Sequence, residues 1–186
     1  GAAGRLLVAD SYLTLFTRIG IGGRDGAAVA IRHSELSSMA GGAIEIVLAG
    51  TGARIDLSDS MMMSDGATEI DASPRADGGR IEVRNTTLAA GNVAASALSL
   101  AASLGGLAGE AVVLESHLIG TASIAVETGA QGRTEVRDSV IDTAGEVRIA
   151  AGDGGQCEAT GNDPELTCPP PVGRESTAVA TGVSGR

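Results

Sequence analysis

Apolar residues in this chain alternate with polar ones in short bursts that recur at a nearly fixed distance. The phrase is cleanest at Thr134-Glu135-Val136-Arg137-Asp138-Ser139-Val140-Ile141, and Val147-Arg148-Ile149 answers it thirteen residues after its start. The same template appears at Leu6/Val8/Ser11/Leu13, Val29/Ile31/Ser34/Leu36, Ile55/Leu57/Ser60/Met62, Ile81/Val83/Thr86/Leu88 and Ala111/Val113/Ser116/Leu118. A degraded seventh copy is Cys157/Ala159/Asn162/Pro164. The copies start 23, 26, 26, 30, 23 and 23 residues apart, which is a unit of 23 with insertions of 3, 3 and 7. A second alternating pair follows in each full copy: Ile19/Ile21, Ile44/Ile46, Thr68/Ile70, Leu98/Leu100, Ile124/Val126 and Val147/Ile149. Part of the insertion precedes the second pair in the copies starting at Val29 and Ile81, and the remainder falls mostly in 71–79 and 101–109.

Period-two alternation marks a strand with one buried face. Strands this short, separated by Gly and Ser corners, pair most simply in parallel with the same strand one turn along. The pattern therefore predicts an all-β fold: a single-stranded right-handed parallel β-helix, or solenoid, of about six to seven coils with ~23 residues per coil. At the ordinary interstrand spacing such a stack is on the order of 33 Å long. No coil buries its apolar face alone, so stability belongs to the stack. An antiparallel sandwich also has short strands and frequent turns. It gives no reason to keep Ser or Thr five residues after the first strand position in six successive units.

That column, Ser11, Ser34, Ser60, Thr86, Ser116, Ser139 and then Asn162, sits just after a corner. A short hydroxyl or amide side chain there can satisfy backbone groups that turn away from the sheet. A catalytic serine would be single, so the column reads as structural. The preceding residue is Asp10, His33, Asp59, Asn85, Glu115 or Asp138, and Arg32, Arg84 and Arg137 lie one further back. This order predicts exposed pairs of arginines with acids along one corner, each worth about 0–1 kcal/mol.

Composition sharpens this picture. The chain has 186 residues, 28 Gly, no Trp, and Tyr12 and Phe16 as its only aromatics, so the interior must be filled by stacked aliphatic side chains. Net charge is −10 and all thirteen basic residues are Arg. An acidic surface without a basic stripe argues against nucleic-acid binding, and no run reaches the ~18 apolar residues of a membrane span. The start lacks a charged-then-apolar leader, so any secretory signal is expected to have been removed or to lie upstream. Cys157 and Cys168 are eleven apart and are expected to form a disulfide that staples the last coil, which implies an oxidising compartment. The expected organisation is a β-helix domain over 1–168 with this end cap, then a Pro-rich stop and flexible tail over 169–186. At the front, either a preceding coil or the two aromatics are expected to cover the first coil.

Gly41-Gly42-Ala43-Ile44-Glu45-Ile46 and Gly78-Gly79-Arg80-Ile81-Glu82-Val83, each part of a coil with a Ser/Thr-x-aliphatic step, resemble the coils of filamentous-haemagglutinin-type exoproteins. The likeness covers roughly residues 5–165. It implies a shaft or C-terminal piece of a secreted or cell-surface bacterial protein of the two-partner secretion class, often an adhesin.

Enzymes share the fold class. The Asp-Asp, Asn-Thr-Asp, His-Gly and Arg-x-Lys phrases by which polygalacturonases resemble one another have no counterpart here. Carboxylates on neighbouring coils, such as Asp56 with Glu82 or Asp59 with Glu115, are the nearest thing to a hydrolytic pair. For a metal, Asp56 and Asp59, with Asp65, Asp71 and Asp77 nearby, are the Ca²⁺ candidates. His33 and His117 stand alone at corners, and Met61 and Met63 flank an inward Met62 as an apolar contact patch. The expected role is thus non-enzymatic: an adhesive or spacer rod with a host or matrix glycan or protein ligand and no bound cofactor. Its competitors are a carbohydrate-active β-helix and a subunit that self-associates end to end.

Overall fold

The computed structural model describes residues 4–24, 26–91, 96–168 and 176–180. Coil one holds β1 (Arg5–Ala9), β2 (Tyr12–Leu15) and β3 (Ile19–Gly23), and coil two holds β4 (Ala28–Arg32), β5 (Glu35–Ser38) and β6 (Ile44–Leu48). Coil three comprises β7 (Arg54–Ser58), β8 (Met61–Ser64) and β9 (Thr68–Ala72); coil four, β10 (Arg80–Arg84), β11 (Thr87–Ala90) and β12 (Ala97–Leu107). Coil five has β13 (Glu110–Leu114), β14 (His117–Gly120) and β15 (Ser123–Ala130). Coil six has β16 (Arg133–Arg137), β17 (Val140–Thr143) and β18 (Glu146–Ala151), after which come β19 (Gln156–Thr160) and β20 (Ser176–Ala180).

Each of β1 to β19 pairs in parallel with its counterpart one coil away. The first strands form a seven-stranded sheet A (β1-β4-β7-β10-β13-β16-β19) and the second strands a six-stranded sheet B (β2 through β17). The third strands, β3 through β18, form sheet C, with β20 added at its edge. The expected parallel β-helix is therefore the fold, with 23-residue coils and enlarged middle ones. Register is the one read from the alternation: Leu6, Val29, Ile55, Ile81, Ala111, Thr134 and Cys157 lie in one file. Ile19, Ile44, Thr68, Leu98, Ile124 and Val147 form another.

The sequence Arg80-Ile81-Glu82-Val83-Arg84 shows why. Ile81 and Val83 are fully buried while the charged residues between and beside them face out. A parallel pair needs a long crossover, and the rest of each coil supplies it. Most positions in the files meet aliphatic side chains above and below, with Thr68 and Thr134 as polar interruptions, and fully burying one Ile or Leu contributes about 1.5–3 kcal/mol. A register slip of one residue would turn each file to solvent.

The corner from sheet A to sheet B has two residues in every full coil, whereas the other two corners vary from two to seven. The enlargement of coil four is less loop than expected. Residues 101–107 extend β12 as strand, pairing with β15 across a register shift between Ala102 and Leu107.

The two ends differ. At the far end Val140 bridges to Asp163, Leu166 enters the core, and Cys157 is disulfide-bonded to Cys168 with Cα atoms 5.8 Å apart. Of the stretch 169–186, expected to be a flexible tail, only 176–180 are described; they form β20, antiparallel to β18, and the rest lies outside the described residues. At the front, Leu6, Leu7, Tyr12, Leu13, Leu15 and Phe16 are exposed. Tyr12 and Phe16 are 70% and 72% accessible, so the aromatics do not fold over the first coil as one expectation had it.

Candidate functional site

The most regular polar feature is the A-to-B corner. Its first residue has positive φ in all six full coils: Asp10 49°, His33 46°, Asp59 49°, Asn85 44°, Glu115 49° and Asp138 50°. This left-handed conformation is tolerated best by Gly, Asn and Asp, and the seventh coil places Gly161 there with φ 67°. The kink turns the chain by a sharp angle while keeping both flanking strands in register.

The next residue is the Ser/Thr column, and the structure brings all seven members together. Each hydroxyl donates to the carbonyl two residues back in its own coil: Ser11 to Ala9, Ser34 to Arg32, Ser60 to Ser58, Thr86 to Arg84 and Ser116 to Leu114, all at 2.7 Å, and Ser139 to Arg137 at 2.8 Å. From Ser34 onward each also accepts a backbone N–H from the column residue one coil earlier, at 3.1–3.4 Å: Ser11 to Ser34, Ser34 to Ser60, Ser60 to Thr86, Thr86 to Ser116 and Ser116 to Ser139. Asn162 ends the series, accepting from the Ser139 N–H at 3.0 Å and donating to the Val136 carbonyl at 2.9 Å. The hydroxyl thus acts as an acceptor within the backbone ladder, and the bonds along the axis join side chain to backbone rather than hydroxyl to hydroxyl.

Thr86→Val keeps shape but removes this acceptor. It leaves the buried Ser60 N–H unmatched, so unfolding free energy is expected to fall by about 1–3 kcal/mol, with Thr86→Ser close to wild type. Chemical denaturation checks both.

Inner hydroxyls that the alternation did not single out serve the same end. Ser73 accepts from the Ala53 N–H at 3.2 Å, and Ser103 from the Gly79 N–H at 2.8 Å. Thr128 and Thr134 pair at 3.0 Å inside the core, with Thr134 donating to the Ala150 carbonyl at 2.7 Å. Ser73 and Ser103 follow the register partners Ala72 and Ala102, Ser73 just after β9 and Ser103 at the register shift within β12, and both have positive φ. Recurrence at that position was the available signal.

Outside the corner, the left-handed residues and the first outward position of sheet B line a shallow groove of about 650 Å³ with Asp10, Tyr12, His33, Glu35, Asp59, Met61 and Asn85. His33 lies between Asp10 and Asp59, at 4.0 and 3.5 Å, and the Asn85 amide donates to Asp59 at 2.8 Å.

The arginines do not pair with these corner acids. Arg84 and Arg137 turn back along their own strands to Glu82 and Glu135, because residues two apart share a face. Arg80 contacts Glu82 at 2.7 Å and Glu110 at 2.6 Å, while Arg133 joins Glu110 to Glu135. Chiefly the Arg80 hydrogen bond, aided by Arg84, holds the Glu82 carboxyl below its ordinary value.

The calcium candidates are dispersed. Asp56 points outward from sheet A, Asp59 is engaged at the corner, Asp71 sits on β9, and Asp77 accepts from the Leu107 N–H at 2.7 Å. Among the described residues no group of three or more His, Cys, Asp or Glu is placed to hold a metal ion. Asp56 and Glu82 are register neighbours, but Glu82 is clasped by two arginines; Asp59 and Glu115 lie two coils apart with Asn85 between them. No helix of the described residues is long and apolar enough to cross a membrane.

One carboxylate stands out energetically. Asp71 faces outward between Val47 and Ala101 but is 8% exposed, and its Oδ1 has no partner. Burial, with Glu69 adding repulsion, raises its pKa from 3.8 to about 6. The folded chain therefore holds a proton between about pH 4 and 6 that the unfolded chain releases, so this group's contribution to stability falls as pH rises through that window. Asp71→Asn is expected to raise stability at pH 7.5 by on the order of 1–2 kcal/mol and to flatten the slope over that window. Thermal melts across pH test both effects.

No family model, curated protein or solved structure matches this chain.

Proposed function

We propose that the chain is a non-enzymatic, stiff segment of a secreted or cell-surface protein of the filamentous-haemagglutinin kind, serving adhesion or spacing. The observation that carries the reading is the hydroxyl column, in which the most regularly placed polar side chains are engaged in joining successive coils. The Cys157–Cys168 bond suits an oxidising compartment. The groove with Tyr12, His33, Glu35 and Asn85 is the face assigned to a matrix glycan or protein ligand, since it alternates polar tips with an aromatic ring and Met61.

The test exposes the purified chain and a Tyr12→Ala/His33→Ala variant to glycan and matrix-protein arrays, and separately to a panel of polysaccharides. Binding by the chain that the variant loses supports adhesion at this face, and silence on the arrays favours the spacer. Turnover of any polysaccharide overturns the reading in favour of a carbohydrate-active β-helix.

A further inference from the structure

The two ends of the solenoid differ in chemistry as well as covering. In coils two to six the column hydroxyl accepts an N–H from the coil before it. Ser11 Oγ occupies the same position at the front edge, with its own proton on the Ala9 carbonyl. Glu35, Met61, Thr87, His117 and Val140 each donate their N–H to the column carbonyl one coil earlier, and the Tyr12 N–H occupies that position in coil one. Around these groups lie Leu6 and Leu13, inward members of the apolar files, 42% and 40% exposed where their counterparts further along are buried. The front therefore continues the coil-to-coil interface in its apolar files, its hydrogen-bonding edge and its corner.

We infer that the front end is a docking surface for one further β-solenoid coil, the terminal coil of a neighbouring solenoid segment. That coil runs parallel to coil one and carries the same left-handed residue followed by Ser or Thr. The geometry disfavours a second copy in either arrangement. Head to tail, the incoming face would be the far end, where Asp163 bridges to Val140 of β17, Leu166 packs into the core and the antiparallel β20 takes the edge of β18. Front to front, a half-turn reverses strand direction, so the first strands could meet only antiparallel, and the parallel step by which each column hydroxyl takes the N–H of the coil before it would not continue. The inference does not depend on adhesion, and its test does not read ligand binding.

The experiment uses the full chain with a copy of residues 28–53 inserted between Gly4 and Arg5, which sets the copied Ala28 in register with Arg5 as Ala28 is with Arg54. Amide exchange, fluorescence of a dye that reports exposed apolar surface, and molar mass are measured beside the unextended chain. Expected results are a monomer, at least tenfold greater protection of the Tyr12 amide, and lower dye fluorescence. Ser11→Ala in the extended chain should then cut protection of the copied Ser34 amide several-fold. An unprotected insert beside native protection of coils three to six would overturn the proposal. So would a dimer of the unextended chain that shields residues 5–23, because the occupant would then be a second copy.

Discussion

Replacing Ile81 by Asp is expected to abolish cooperative folding of the middle of the rod, at a cost of about 4 kcal/mol or more. Ile81 is fully buried, with Ile55 on one side of it in the file and Ala111 on the other. A carboxylate there has neither water nor a cation to stabilise it. Because each coil rests only on its neighbours, the damage should split the stack. Amides on both sides of coil four are expected to lose protection from exchange, those nearest it most. Ile81→Val, which removes one methyl, should cost about 0.5–1.5 kcal/mol and leave exchange elsewhere unchanged. If Ile81→Asp melted like wild type, the file would not be the structural axis described above.

The second large effect is expected at the closed end. Changing Cys157 and Cys168 together to Ser removes a covalent loop of eleven residues' separation, worth roughly 2–3 kcal/mol in chain entropy. Here the loss should be local. Leu166 is held in the core by the same loop, and Cys157 and Ala159 pack against that core from β19. The double variant is therefore expected to expose β19 and the edge of β16 to exchange while coils two to four keep wild-type protection. Loss of protection spread evenly along the chain would contradict a stack of nearly independent neighbours.

Much of this architecture could be read directly from residue order. Alternation located the three strands of each coil, and the Ser/Thr column set their register, because one buried face and one invariant two-residue corner leave little freedom. What stayed hidden was conformational. The left-handed kink falls on Asp10, His33, Asp59, Asn85, Glu115 and Asp138, and glycine, the usual marker, occurs only at Gly161. Four of those six are Asp or Asn, which is the trace such a kink leaves in composition. Arginine pairing was misjudged for a related reason. Arg84 lies next to Asn85 in sequence, but the kink turns that neighbour away, and Glu82 two residues back shares its face. Burial of Asp71 was likewise not legible from a position that alternation marks as outward.

The constancy of the A-to-B corner has an engineering consequence. Its two-residue link never lengthens, because the kink and hydroxyl together hand the ladder from one sheet to the next, whereas the bend at 73–79 has already absorbed extra residues without disturbing the files on either side. Foreign epitopes or tags belong at that swollen bend. Even one residue added between Asp59 and Ser60 would shear the scaffold at its keel.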